Sequence, residues 1–292
     1  MNTQRKAYAA WIAICLIWGT TYLGIRIALE GVPPFLMAGF RWIVGGAVLV
    51  CILKARGEII PARRSWPALV VLGVLFIGFG NGGVVWAEQT VPSGLTAVLV
   101  AVSPFWLVGL DALAGSSERL TPRRLAGLVV GFLGVLMLVW PRLQTGAGGP
   151  GLLVGLIATQ LASAGWATGA TIARRRSRDE NVLAAAALEM LFAGVLMLGI
   201  GLAAHEWGRL HYTARSAIAM TYLTVVGSIC AFPAFTYALK HLPVSTVSLY
   251  AYFNPVIAMM LGTLVLDEPF TWRLGIAAGT VLVGMALVRG GD

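Results

Sequence analysis

Charge is scarce in this chain. Only 11% of its 292 residues are Asp, Glu, Lys or Arg, and 58% are apolar. A soluble domain carries about a quarter charged residues. A water-soluble core cannot hide this much apolar surface, which excludes an ordinary globular enzyme. Cysteine is also rare. Cys15, Cys51 and Cys230 all fall inside apolar runs, and no C-x-x-C pair exists. That excludes a disulfide framework and a cysteine zinc site. His205, His211 and His241 are the three histidines; none belongs to an H-E-x-x-H helix, and no Ser-His-Asp set can be argued. No catalytic group, cofactor or metal is expected. The first apolar run, Tyr8 to Ala28, has no carboxylate.

Long apolar runs are what the chain does have. Mean hydropathy is +0.84, and stretches of about 20 apolar residues recur throughout, the length needed to cross a bilayer as a helix. An all-α membrane protein with ten transmembrane helices is expected. The spans fall at 8–28, 34–53, 66–87, 93–114 and 122–140, then 150–173, 182–203, 215–239, 244–266 and 272–289. Pro33-Pro34 separates the first two, and the glycines from Gly146 to Gly151 separate the halves. Thr121-Pro122 has the form of an N-cap followed by proline at the first helical position. Arg5 and Lys6 precede the first run, but no small-residue cleavage site follows convincingly, so an uncleaved helix is expected.

The net charge of +9 is better explained by a bilayer than by nucleic acid. With the N-terminus inside, fifteen Lys and Arg fall on inner segments and six on outer ones. Basic residues mark the cytoplasmic side; both termini are therefore expected there, in a bacterial inner membrane. Arg174, Arg175, Arg176 and Arg178 read as a cytoplasmic anchor.

One phrase occurs twice. Residues 91–105 and 242–256 each open on a proline, Pro92 and Pro243, and carry a second twelve residues later, Pro104 and Pro255. Ala87 matches Ala238 at the same spacing. Glu118 and Thr121 match Glu268 and Thr271, and Trp18, Thr20 and Arg26 match Trp166, Thr168 and Arg174. Residues 1–145 and 146–292 therefore read as two repeats of five spans each. Five is odd, so the second repeat enters from the opposite side. Two inverted five-helix repeats suit a carrier that works by alternating access.

On these residues the chain resembles the drug/metabolite transporter superfamily, in its EamA-type ten-helix branch. The string Ala87, Pro92, Pro104, Glu118 and its copy Ala238, Pro243, Pro255, Glu268 carry the likeness, with Gly127/Gly131 and Gly275/Gly279 in the last helix of each half. The resemblance implies a secondary transporter of small metabolites. The length and aromatic content bring it nearest to exporters of amino acids, including aromatic ones. It also implies that the first, third, fourth, sixth, eighth and ninth spans line a cavity. A multidrug or nucleotide-sugar-like carrier is the alternative, and a membrane-embedded enzyme a more distant one. Small multidrug exporters place an acidic residue in the first span; its absence here favours an uncharged or zwitterionic substrate.

Candidate substrate-binding residues are Trp18, Tyr22, Phe79, Asn81, Trp86, Ser103, Trp166, Tyr237, Tyr250 and Asn254. Trp18 and Tyr22 share a helix face, as do Tyr250 and Asn254, and Phe79 and Trp86. Each alone stands between a cavity role and plain packing. As a set, aromatic faces with few charges suit a flat, partly apolar substrate. Pro104 and Pro255 lack a backbone donor and loosen their helices; each is either a hinge or a static bend. Ser103 and Asn254 precede them and could satisfy freed carbonyls. Arg41 and Glu189 read as shallow charges that snorkel or pair. Gly78-Phe-Gly80-Asn-Gly82-Gly83 lacks the flanking strand of a nucleotide loop. The glycine pairs fit close helix packing or a dimer face, so the expected partners are a small molecule, lipid, no nucleic acid, and either no second copy or one.

Overall fold

The computed structural model describes residues 3–103, 105–106, 109–110, 121–145, 149–175, 181–242, 244–247 and 249–289. Among them there is helix but no strand. In lipid this is the expected outcome, since a helix satisfies its backbone polar groups within one segment. The longer helices are α1 (Thr3–Ala28), α2 (Pro34–Ala55), α3 (Arg63–Ala87), α4 (Ser93–Val100), α5 (Pro122–Thr145), α6 (Gly149–Arg175), α7 (Val182–Ala203), α8 (Ala214–His241), α9 (Tyr250–Leu266) and α10 (Trp272–Arg289), with short helical turns at Glu206–Arg209 and Val244–Val247. Six of them, α1, α2, α3, α6, α7 and α8, are long and apolar enough to cross a membrane, and α5, α9 and α10 contain shorter apolar stretches. Pro104, Asp111, Glu118 and Pro243 lie outside the described residues.

The helix starts follow local chemistry. Pro34 sits at the first position of α2, where a missing N–H costs nothing. The Asn181 side chain accepts from the Leu183 and Ala184 amides at the start of α7, at 3.0 and 3.2 Å. Thr213 and Ser216 form a reciprocal capping box on α8. Two further caps come from far away in sequence. Glu206 accepts from the Phe35 and Leu36 amides of α2 at 3.0 and 2.9 Å. Glu268 accepts from the Ser93 amide and hydroxyl, both at 2.9 Å, and from the Gly94 amide of α4 at 3.2 Å. A carboxylate at a helix N-terminus also meets the positive end of the helix dipole.

Packing runs mainly between the halves of the sequence. The two largest interfaces are α2 on α7 and α5 on α10. Further contacts come as exchanged pairs: α1 packs on α8 and α9, while α6 packs on α3 and α4, and α2 packs on α8 as α3 packs on α7. The α2–α7 seam is close because glycines meet backbone. A Cβ on Gly39 would lie 2.7 Å from the Leu198 nitrogen, and one on Gly194 would lie 2.7 Å from the Ile43 nitrogen. The α5–α10 seam is close for the same reason: a Cβ on Gly284 would lie 2.5 Å from the Gly131 nitrogen. Of the glycines singled out in the sequence, Gly131 therefore serves packing, whereas Gly279 faces open space.

Two helices are widened at matching places. α3 is π-helical over Val74–Asn81, and α8 over Leu223–Cys230, each for eight residues. The second begins 149 residues after the first. Such segments loosen the regular turn and re-aim side chains, and they concentrate at functional sites.

Candidate functional site

The two π segments turn polar groups toward consecutive residues of α2. The Arg41 Nε donates to Ser228 Oγ at 2.6 Å, and Ser228 donates in turn to the Leu223 carbonyl at 3.2 Å, within the second π segment. Gly227 leaves room beside the guanidinium: a Cβ there would lie 3.2 Å from Arg41 Nη2. The Trp42 indole donates to Asn81 Oδ1 at 3.0 Å, at the end of the first π segment. The Arg41 guanidinium lies 4.6 Å from the Trp42 ring centre, a cation–π distance. One polar anchor from each half thus fixes α2 beside the centre of the molecule.

A cavity opens there, with a volume of about 70 Å³. Seven of the ten candidates from the sequence line it: Trp18, Tyr22, Asn81, Ser103, Trp166, Tyr250 and Asn254. They come from α1, α3, α6, α9 and the segment after α4. Trp18 and Trp166, matched residues of the two halves, meet edge-to-face at 5.3 Å. Trp18 also meets Tyr250 at 4.9 Å, and Phe235 lies 5.0 Å from both tryptophans. Gly80 admits the Trp166 ring, since a Cβ there would lie 2.8 Å from it. The Trp18–Trp166 and Trp18–Tyr250 pairs stand edge-to-face, at 84° and 87°, one of the arrangements aromatic pairs prefer, while Phe235 packs behind them at tilts of 42° and 47°.

Three candidates lie elsewhere. Phe79 and Trp86 do share a face, but it borders a second, largely apolar groove of about 340 Å³ against α6 and α7. Phe79 is 54% exposed. Phe79 and Asn81, two residues apart, point to opposite sides of the helix, so the face that turns Gly80 and Asn81 to the cavity turns Phe79 and Trp86 to the groove. Tyr237 stacks on His241, with ring centres 4.3 Å apart, at the end of α8.

The sequence underrated Arg41. It reads as a shallow charge able to reach the surface, yet it is only 2% exposed and lines the cavity. Packing of α2 under α7 and α8 closes the outward route. The one sequence signal was its depth, about eight residues into an apolar run. Thr21, Trp42, Ser163 and Phe232 also border the cavity and were not singled out. Glu189 is buried, at 5% exposure; the side chains of Arg174 to Arg176 lie outside the described residues.

The expected satisfaction of a freed carbonyl is seen at Ser103. The Ser103 hydroxyl donates to the Val100 carbonyl, the group that Pro104, having no N–H, cannot serve. Pro255 lies inside α9, and Asn254 beside it is 3% exposed.

Comparison with known proteins decides the class. The EamA-like transporter family model matches residues 5–140 and again 153–290. The chain belongs to the EamA-like transporter family, within the drug/metabolite transporter superfamily. It is 33% identical to the uncharacterized inner membrane transporter YedA of Escherichia coli strain K12, over 96% of this chain and 90% of that one. It is 24% identical to the uncharacterized transporter YvbV of Bacillus subtilis strain 168, over 97% and 90% of the two chains. A solved crystal structure at 21% identity superposes with a TM-score of 0.70, covering 97% of this chain and 96% of the other, which shows a shared fold. This EamA-family chain is thus a membrane transporter by family, and its cavity is the place to seek a substrate.

Proposed function

We propose that this EamA-family chain is a secondary transporter of the bacterial inner membrane that exports small metabolites, with amino acids, including aromatic ones, as its substrates. In this reading it crosses the membrane ten times as two inverted five-helix repeats, 1–145 and 146–292, with both termini cytoplasmic. The basic-residue bias, the exchanged packing of α1 and α6, and the paired π segments support that arrangement. The inner-membrane setting is that of YedA. The halves rock about the cavity, with Pro104 and Pro255 as bending points.

The observation that carries the substrate class is the cavity wall. It joins aromatic rings of both halves to a few isolated polar groups, and the described lining residues include one cation and no carboxylate. Rings favour a flat apolar side chain. The missing carboxylate disfavours a cationic drug, and a single arginine is a poor match for a diphosphate. The cavity volume of about 70 Å³ is small, so substrate entry requires the halves to part.

The test is transport by the purified full-length chain in proteoliposomes, with labelled amino acids and cationic dyes, with and without a pH gradient. Saturable movement of an aromatic amino acid, reduced at least about tenfold by Trp18→Ala or Tyr250→Ala, is expected; loss of ring contacts on this scale follows from stacking and burial energies. Dye movement with no movement of any amino acid would overturn the proposal.

A further inference from the structure

Two residues that line the cavity each carry a buried polar atom with no hydrogen-bond partner among the described residues: Nη1 of Arg41, a donor, and Oδ1 of Asn254, an acceptor. Both side chains are more than nine-tenths buried, at 2% and 3% exposure. An unmade hydrogen bond at such depth is costly, and a buried cation with no counter-charge more so. Among the described residues no acidic side chain pairs with Arg41. Its own contacts, Ser228 and the Trp42 ring, orient the guanidinium without neutralising it.

The two vacant groups have opposite tastes. A guanidinium edge donates and carries positive charge, which suits a carboxylate. A carboxamide oxygen accepts, which suits an ammonium. They come from opposite halves, α2 and α9, and Tyr250 lies one turn before Asn254 on the same face of α9. We infer that Arg41 and Asn254 form a head-group subsite for a free zwitterionic amino acid: Arg41 takes the α-carboxylate, Asn254 takes the α-ammonium, and the Trp18, Trp166 and Tyr250 rings take the side chain. This rests on the amino-acid reading above and narrows it. Compounds lacking either charged group, such as aromatic amines and aromatic acids, are poor ligands.

The experiment measures dissociation constants on the purified full-length chain by thermal-shift titration with tryptophan, tryptamine and indole-3-propionate. The last two lack the carboxylate and the ammonium respectively. The native chain binds tryptophan at least about tenfold more tightly than either, the value of one charge-assisted bond. Arg41→Gln weakens tryptophan to the tryptamine level and leaves tryptamine unchanged. Asn254→Leu weakens tryptophan to the indole-3-propionate level and leaves that acid unchanged. Arg41→Lys, which keeps the charge without the planar fork, falls between. If the native chain binds all three compounds alike, or Arg41→Gln weakens tryptophan and tryptamine equally, the subsite is wrong while amino-acid transport stands. The native comparison needs no variant to fold. If the native chain neither binds nor moves any amino acid, the broader reading fails instead.

Discussion

Glu88 follows the last turn of α3 and is fully buried, with neither carboxylate oxygen hydrogen-bonded among the described residues. Burial pushes its carboxyl well above the usual carboxylate range, the Glu268 carboxylate pushes the same way, and Arg26 opposes them. Tyr22 of α1 is the other titratable group in its field, and the Arg26 side chain donates to the Glu88 backbone carbonyl. A raised carboxyl pKa means that the fold prefers the neutral acid. Its stabilising contribution is complete below the unfolded value of about 4.3 and is lost as pH rises through the raised folded value. Glu88→Gln keeps the neutral shape at every pH. Melting curves in detergent should therefore coincide for the two proteins near pH 4, with the variant melting higher at pH 8; parallel pH profiles would refute this. Nothing in the sequence marks Glu88, a lone acid in a Glu-Gln-Thr loop. Arg41 was visible but misjudged for a related reason. Residue type and depth along one helix are legible, whereas the closing of a polar group from all sides depends on neighbours distant in sequence.

At the level of the helix, glycine divides into two kinds. Gly39 of α2 meets the backbone of α7, with Leu198 nitrogen 2.7 Å from where its Cβ would be. No flexible side-chain end can yield there. Gly279 of α10 has nothing within 4 Å. Gly39→Ala should cost about 2 kcal/mol, in the range of overpacking, while Gly279→Ala should be neutral or stabilise by about 0.5–1 kcal/mol through helix propensity. Reversible unfolding of each variant in mixed micelles reads the difference, and equal effects would contradict the seam geometry. The sequence places Gly279 in a glycine pair like that of Gly131, yet the two differ in role, because a spacing pattern does not say which face another helix covers. Helical character was readable from run length and proline punctuation, since the bilayer leaves few options. The π segments were not. Their residues are mostly ordinary apolar ones, with no spacing or residue type that announces a widened turn.

For the whole molecule, the interfaces that matter lie across the sequence midpoint. α2 on α7, α5 on α10, α1 on α8 and α9, and α6 on α3 and α4 outweigh contacts within either half. Even the caps cross it: Glu206 and Glu268 close the starts of α2 and α4. The two stretches that match the family model, 5–140 and 153–290, are therefore halves by sequence and not by packing, unlike ordinary domains with cores of their own. Expressed separately, each fragment should be degraded or aggregate; expressed together, they should assemble into a complex that co-purifies and melts as one unit. A stable, monodisperse single fragment would refute this. The doubled proline phrase made duplication legible from the sequence. How the copies exchange helices was not legible, because the pattern in each half records burial but not the identity of the partner.

The meeting of Trp18 and Trp166 has an optical consequence. Two indoles 5.3 Å apart at 84° are close enough for their electronic transitions to mix. A chirally arranged pair of this kind leaves a signed couplet in circular dichroism that neither ring produces alone. One tryptophan comes from α1 and the other from α6, so the couplet gauges the distance between the halves. The fold thus carries an intrinsic, label-free readout for the proposed rocking of the halves.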